Sequence, residues 1–263
     1  MVNNEDVKLT PESARVTAEY LIKAAKAAVG EGVRVPADKE FVFGPVFSWW
    51  RLVCRTSELV LSAVDSGFGA EVGPLVRNVL NHAYALNWLV DNGDPAMYAL
   101  VRSGRENQRK MVEKVEKTNW PGAVELRAVY DRVKELPEPE WTQAEERRIV
   151  MLVHELGNFH DQLDRYGAVE VYPAYSHLSS LSHTSIETAS LYLSHAEDGS
   201  RAELMLTSWL SPDTYVIQVT LSLLQTASVI SPLIGGDPMR DAIEKATGDL
   251  GLEGIQLLPE RTV

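Results

Sequence analysis

The sequence has little cysteine, comparatively few basic residues and no long run of purely apolar side chains. Its single cysteine, Cys54, rules out an intramolecular disulfide, which excludes the class of secreted, disulfide-stapled domains. Lys and Arg number 25 against 37 Asp and Glu, and the net charge of -12 disfavours general binding of nucleic acid. No positively charged start precedes an apolar segment at the N-terminus, so we expect a cytoplasmic protein.

The longest apolar stretch, 215–234, contains several polar side chains, such as Gln218 and Gln225, that would be costly in lipid. We therefore interpret it as a core helix, and we expect no association with a membrane. No glycine-rich phosphate loop and no dinucleotide fingerprint is present, so we expect no cofactor. Hydrophobic residues make up 45% of the chain and charged residues 24%, which is typical of a folded globular protein.

Proline, glycine and capping residues divide the 263 residues into at least eight predicted helices, and no βαβ alternation, fixed repeat or long linker is visible. The sequence thus predicts one all-α domain. Between 190 and 206, the turn-forming cluster 196–200 fits either a short β-hairpin or a helix-loop-helix. The predicted helices lie at about 10–29, 44–65, 75–90, 94–118, 121–135, 142–165, 173–187, from about 213, and 237–248.

The segment 77–84 of the third predicted helix places a guanidinium, amides, an imidazole and a phenol within about two turns. Asn78 and His82 are four residues apart and share a face, whereas Arg77 and His82 point about 140° apart. The side chains can meet only in a groove between helices or between two protomers. The structural alternative is that Arg77 pairs with Glu58 or Glu71 and that His82 is a core histidine.

The string Arg77-Asn78-x3-His82-x-Tyr84 resembles the R-x4-H-x-Y motif of HEPN-domain proteins, all-α families that include toxin and antiviral ribonucleases. Together with Tyr175-x2-Leu-Ser179-x3-His183, the region resembles a bacterial HEPN-related family of unknown function with R-x3-E and S-x3-H signatures. That family's glutamate is replaced here by Asn81. The resemblance implies a HEPN-like helical bundle over about 44–231, with the helices 10–29 and 237–248 as additions.

The resemblance also implies a function, namely a metal-independent endoribonuclease of the toxin or phage-defence type. His82 would act as acid or base on the ribose 2′-OH, and Arg77 would stabilise the phosphorane. Asn78 would orient a phosphate oxygen, Tyr84 would stack on a base or donate a hydrogen bond to the RNA backbone, and a homodimer would complete the site. The implied partners are RNA and an antitoxin or other protein.

Two features favour a second function, a catalytically inert helical protein that uses the same groove to bind a nucleotide, RNA or a protein. They are Asn81, in place of the glutamate, and the net charge of -12. Detectable binding without turnover would distinguish this protein from a nuclease.

Two further sets of residues complete the candidates. Ser179 and His183 are four apart in the predicted helix 173–187 and suggest either a hydrolase pair or, by the resemblance, a role facing Arg77. The basic residues of the fourth helix form a candidate surface for the RNA backbone, although intrahelical pairing with glutamates is the usual meaning of such a pattern. They are Arg102, Arg105, Arg109, Lys110, Lys114 and Lys117.

A third set suggests a metal site, but its spacing argues against one. His154-Glu155-x4-His160 is not the H-E-x-x-H spacing of zinc proteases, and the two imidazoles lie about 120° apart on a helix. His160 and Asp164 form an i,i+4 pair of the kind common on helix surfaces. We therefore expect no metal.

Overall fold

The computed structural model of the protein describes residues 9–30, 32–134, 138–195 and 202–254. This part of the chain is all-α apart from one two-stranded antiparallel hairpin. Its elements are α1 (Pro11–Gly30), α2 (Glu40–Asp65), α3 (Gly73–Asn92), α4 (Asp94–Lys117), α5 (Ala123–Lys134), α6 (Gln143–Gly157), α7 (Phe159–Arg165), α8 (Tyr172–Ser180), α9 (Ile186–Ser190), β1 (Leu193–His195), β2 (Ala202–Leu204), α10 (Asp213–Ile230) and α11 (Arg240–Asp249). The predicted fold class is confirmed, and the open choice at 190–206 resolves to a hairpin.

The hairpin pairs Leu193 with Leu204 and Ser194 with Glu203. The predicted turn cluster 196–200 itself lies outside the described residues.

Contacts group the residues into two compact units, one made of 1–90 and 163–263 and the other of 91–162. In the first unit, α10 packs against α1, α2 and α11. The face of α1 toward the core is built from small side chains such as Ala14, Ala18 and Ala25, which let the two helix backbones approach closely. The hydroxyl of Thr220 donates to the carbonyl of Ala14 at 2.9 Å, so this buried polar group on α10 is satisfied within the helix pair.

α10 is the one described helix that is long and apolar enough to cross a membrane by length and composition alone. An 18-residue window in Asp213–Leu233 has a mean hydropathy of 1.5, and 67% of that window is buried inside the structure. The helix thus supplies core surface to the first unit, which accounts for its apolar character.

In the second unit, α4 packs against α5 and α6. Val112, Ile149 and Leu152 are buried there, and the rings of Tyr98 and Trp141 meet edge to face at 4.7 Å. α6 begins with the predicted capping box, in which the Thr142 N–H donates to the Glu145 carboxylate at 2.8 Å and the Glu145 N–H donates to the threonine hydroxyl at 3.3 Å.

Two predicted helices are divided in the structure, and each division has a local cause. The helix predicted over 142–165 breaks at Asn158, whose backbone is extended and whose side chain accepts the N–H of His160 at the start of α7. The helix predicted over 173–187 ends at Ser180, because Ser185 and Thr188 form a new capping box that begins α9.

Candidate functional site

α3 carries the residues that the sequence singled out, and it turns them toward two different neighbouring helices of the first unit. Arg77 contacts Tyr175 of α8, whereas the ring of His82 lies edge-on to Trp49 of α2 at 6.1 Å between centroids. This division follows from the angle of about 140° between positions five apart on a helix. Within one chain, the predicted catalytic pair does not converge on one point.

Arg77 is held by an aromatic residue. Its Nη2 donates to the phenol oxygen of Tyr175 at 3.1 Å, and its guanidinium carbon lies 5.1 Å from the centre of the same ring. Its Nε is buried and makes no hydrogen bond. Among the described residues, no carboxylate lies within ion-pair distance of Arg77, so its positive charge has no counter-charge there.

Tyr175 also lies beside Tyr172, one helical turn earlier on α8. The two rings are nearly parallel, with an interplanar angle of 27° and centroids 6.3 Å apart, and Tyr172 is 39% exposed. Arg77, Tyr175 and Tyr172 thus form a continuous arrangement that we call the arginine-tyrosine platform. Sequence reasoning missed Tyr172, although its i,i+3 spacing from Tyr175 was a visible signal.

His82 is held in one tautomer by the backbone. Its Nδ1 lies 2.8 Å from the carbonyl oxygen of Asn78. A carbonyl only accepts hydrogen bonds, so Nδ1 carries a proton and the neutral ring presents its lone pair at Nε2. This tautomer leaves Nε2 able to accept a proton. Trp49, which sequence reasoning did not single out, fixes the other side of the ring.

The remaining predicted residues of α3 occupy separate surroundings. Tyr84 lies 6.3 Å from the ring of Tyr166, and burial together with the nearby charge of Glu170 raises the pKa of its phenol to about 12. Asn78 is exposed and Asn81 half-buried, and neither side chain makes a hydrogen bond with another described residue. Tyr84 therefore stays neutral and packs inside the fold, whereas the two amides are available at its surface.

The predicted structural alternative for Arg77, an ion pair with Glu58 or Glu71, is wrong. Glu58 binds Lys26 at 2.5 Å, which lowers the pKa of its carboxyl group. Glu71 accepts hydrogen bonds from the Tyr192 hydroxyl and from the Gly69 N–H. Both carboxylates thus have partners other than the guanidinium.

The predicted pairing of Ser179 with His183 on one helix face is also wrong. α8 ends at Ser180, so His183 follows the helix instead of lying one turn further along it. His183 is exposed, and its carbonyl accepts the Thr188 hydroxyl at 3.1 Å. Ser179 is half-buried and makes no side-chain hydrogen bond with a described residue. Ser179 and His183 therefore do not form a pair for nucleophilic catalysis.

Four of the six basic residues singled out on α4, in the second unit, are bound to carboxylates, and no ion pair with a described residue is formed by Lys114 or Lys117. Arg102 donates to Glu138 at 2.7 Å and to Glu146 at 2.6 Å. Arg105 also binds Glu138 at 2.7 Å. Local acids therefore neutralise this part of the predicted backbone-binding surface.

The same holds further along α4. Arg109 binds Glu106 at 2.7 Å and Glu113 at 2.5 Å, and Lys110 lies 3.3 Å from Glu106. The two cations hold the pKa of Glu106 down to about 2. These contacts match the intrahelical pairing that the spacing of the charges indicates.

The candidate metal ligands do not form a centre in the part of the chain that the structure describes. His154 lies 3.2 Å from Asp161, and His160 lies 3.9 Å from the same carboxylate. The two imidazoles and this one carboxylate lie at a helix break, since Asp161 follows the interruption at Asn158.

A cavity of about 690 Å³ lies between the turn 235–238 and Pro36, and sequence reasoning did not identify it. Its wall includes Asp237, which has a positive φ of 47° and is held by hydrogen bonds from Ser231 and Arg240. The Gly-Gly-Asp-Pro run was the visible signal for this turn. No predicted site residue lines this cavity.

Comparison with known proteins identifies one related family. Residues 43–200 match the family described as "Family of unknown function (DUF5677)", and this range contains most of α2, all of α3 and the arginine-tyrosine platform. Neither a curated protein nor a solved structure matches the chain. The resemblance to HEPN-domain proteins stays a prediction. Because the matched range covers more than half of the chain, the protein belongs to DUF5677, a family of unknown function.

Proposed function

We propose that the protein binds single-stranded RNA at the arginine-tyrosine platform. One observation carries the proposal: the guanidinium of Arg77 is held by the hydroxyl and ring of Tyr175 without a carboxylate within ion-pair distance among the described residues. Every other arginine singled out in the sequence binds a carboxylate. A guanidinium that is positioned but not neutralised suits a phosphate, which it binds through two parallel hydrogen bonds.

The Nη1 atom of Arg77 supports the same ligand. Nε is buried and closed to solvent, whereas Nη1 is not buried and makes no hydrogen bond with a described residue. A phosphate oxygen at Nη1 would supply the missing negative charge, which a neutral ligand would not.

The two tyrosines extend this site from a phosphate to a nucleotide chain. Tyr172 is 39% exposed beside Tyr175, which gives a base a ring to stack on next to the arginine. Stacking of this kind tolerates every base and requires that the bases be unpaired. The site therefore favours single strands and shows little sequence preference.

RNA cleavage is the second candidate function, and the tautomer of His82 favours it. With Nδ1 donating to Asn78, Nε2 is free to take the proton of a ribose 2′-OH. Arg77 faces α8 and His82 faces α2, so a second copy would have to bring an arginine to each histidine. Such an enzyme would be a metal-independent ribonuclease of the toxin or phage-defence type, active only as a homodimer.

Fluorescence anisotropy with a labelled 12-nucleotide single-stranded RNA tests the binding proposal. Arg77→Met should weaken binding at least tenfold. Tyr172→Ala should weaken it by about 5- to 100-fold, and Tyr172→Phe should retain it. Arg109→Gln is the matched control, since Arg109 is already bound to Glu106 and Glu113, and it should change nothing. Equal affinities for wild type and Arg77→Met would contradict the proposal.

The cleavage candidate needs its own experiment, in EDTA, with the same RNA and with a copy that carries 2′-deoxyribose throughout. An enzyme that uses His82 would cut only the ribose form, and His82→Ala would abolish the cut. Expression from a tight promoter would then give growth arrest with fragmented RNA for wild type only. Cleavage that survives His82→Ala would exclude His82 as the acid or base, and binding without cleavage would leave the first proposal in place.

A further inference from the structure

α2 carries a second row of side chains, apolar except for Thr56, beside the row of its buried residues. We call it the outer row. It comprises Pro45, Trp49, Leu52, Thr56, Leu59 and Ala63. None of the six is fully buried, and Leu52 and Leu59 are 40% and 55% exposed. Phe41, one turn before the row, is 45% exposed.

The spacing of the outer row is that of a helix-pairing seam. Its members follow one another at alternating intervals of four and three residues, which is the a/d repeat of helices that pack side by side. At 1.5 Å per residue, the row runs about 27 Å along the helix. The fold of the chain uses a different row, which includes Val46, Trp50 and Val53. α2 therefore has one seam in the core and a second seam at the surface.

Charges beside the outer row indicate what covers it. Arg51 and Arg55 lie one turn apart on one flank of the row, and neither forms an ion pair with a described residue. Glu58, the acid nearest to them on α2, is bound by Lys26 at 2.5 Å. The hydrogen bond from Lys26, together with the nearby charges of Arg55 and Arg51, lowers the pKa of Glu58. One carboxylate thus faces three cations along this edge, and acidic residues of a helix that covered the row would complement the net positive charge.

A second copy of the chain fits this surface less well. An antiparallel pair of α2 helices centred on the outer row, near position 54, would bring the two Arg55 side chains close to the twofold axis. Like charges placed together at an interface are unfavourable. Glu40, an exposed carboxylate on the same side of α2, lies eleven residues before Arg51, too far along the helix to face either arginine in such a pair.

We propose that the outer row of α2 binds an amphipathic helix of a partner protein, with acidic residues beside the apolar face of that helix. The apolar row supplies the contact area, and Arg51 and Arg55 select the partner by charge. This proposal is independent of RNA binding, because it uses neither Arg77 nor the tyrosines.

Two synthetic 21-residue helical peptides test the proposal against the full-length protein by fluorescence anisotropy. Both have leucine at every a and d position, and they differ only in carrying glutamate or lysine at the flanking e and g positions. We expect the glutamate peptide to bind at least tenfold more tightly than the lysine peptide. The double variant Arg51→Glu/Arg55→Glu should reverse this order, which a merely hydrophobic surface would not do.

Variants of the row itself supply the control. Leu59→Lys should abolish binding of both peptides, whereas Val124→Lys, at an 80% exposed apolar position on α5, should leave binding unchanged. Circular dichroism checks that each variant is folded. Equal binding of the two peptides, or binding that survives Leu59→Lys, would overturn the proposal. Sedimentation of the wild type as a dimer that Leu59→Lys dissociates would also overturn it, because the row would then be covered by a second copy.

Discussion

Cys54 lies on the buried side of α2, where it is 3% exposed. Burial raises the pKa of its thiol to about 12, so almost no reactive thiolate exists at pH 8. We expect Ellman's reagent to detect no thiol in the native protein at pH 8 and one thiol per chain in 6 M guanidinium chloride. Rapid native labelling would show that α2 opens readily at this position.

Gly69 joins the turn before α3 to the segment that follows the hairpin. A Cβ atom at this position would lie 2.5 Å from the carbonyl oxygen of Leu210 and 2.9 Å from the hydroxyl of Ser208. The same hydroxyl accepts the N–H of Ala70 at 3.2 Å. Only glycine permits this approach, since the backbone carbonyl cannot move aside alone.

We therefore expect Gly69→Ala to lower the free energy of unfolding by about 1–3 kcal/mol, because an overpacked site forces the backbone to shift. Urea denaturation followed by circular dichroism measures the change. Gly30→Ala is the control, since a Cβ there has no heavy atom within 4 Å, and it should change stability by no more than a few tenths of a kcal/mol. Similar values for the two variants would mean that the Gly69 contact is not maintained in solution.

At the scale of elements, Arg102 of α4 is the central cation of the second unit. It binds Glu138, in the loop before α6, and Glu146, within α6. The side chains of Arg102 and Glu138 are only 25% and 20% exposed, so this pair is better shielded from water than the ion pairs of Arg109 and Lys110 on α4. The pair connects α4 to the start of α6 at a point where few apolar residues are buried.

We expect Glu138→Gln to lower the free energy of unfolding at pH 7 by about 1 kcal/mol, since it removes the charge that Arg102 and Arg105 both bind. Glu113→Gln is the control, because Glu113 is 46% exposed, and its effect should be smaller. Urea denaturation of both variants provides the comparison.

The same pair predicts a dependence on pH. The hydrogen bond from Arg102 lowers the pKa of Glu138 below the ordinary value of 4.5. A carboxyl group whose folded-state pKa is lowered stabilises the protein fully above its unfolded-state pKa, and the contribution disappears as the pH falls through the folded value. The difference between wild type and Glu138→Gln should thus be constant from pH 7 to pH 6 and should shrink below about pH 4.5. If the difference in the free energy of unfolding between the two proteins persists at pH 2.5, the substitution acts through packing and not through the charge of Glu138.

The sequence predicts elements well where the signal is local. The capping box of Thr142 and Glu145 was visible as a four-residue pattern, and the structure contains it. The break after Ser180 was missed because the apolar pattern continues past it, and the capping box of Ser185 and Thr188 outweighs that pattern.

The sequence indicated which residues of α3 belong to the candidate site, but it did not indicate which residues of other helices they contact. Helical geometry alone shows that Arg77 and His82 point in different directions. The identity of the partners could not be predicted, since Tyr175 is 98 positions from Arg77 along the chain and only tertiary packing brings the two together. For the same reason, the sequence could not show that Glu58 binds Lys26. Nor could it show that Arg77 contacts the ring of Tyr175 instead of a carboxylate.

At the scale of the whole molecule, the net charge of -12 constrains how RNA can bind. The α4 arginines are already bound to carboxylates, so the proposed site offers one uncompensated guanidinium against a negative background. For single strands, each neutralised phosphate contributes about -0.7 to the slope of log K against log salt concentration. We expect a slope between about -0.7 and -1.4, corresponding to one or two phosphates.

Anisotropy titrations between 25 and 300 mM NaCl measure this slope. Arg77→Met should reduce its magnitude by about 0.7, and Arg109→Gln should leave it unchanged. A slope steeper than about -3 would require a broad basic surface, which would contradict the contacts described for α4.

The division of the chain also determines the order in which its parts can fold. α1 meets α10 across 206 positions, as in the hydrogen bond from Thr220 to Ala14, and at roughly 5–20 residues per second a ribosome needs about 10–40 s to make that interval. Residues 91–162 are contiguous and are complete well before then. During this time the apolar sides of α1 and α2 have no α10 to cover them. Nascent chains of this protein should therefore depend on chaperones at that stage, and a circular permutant that begins at α10 should depend on them less.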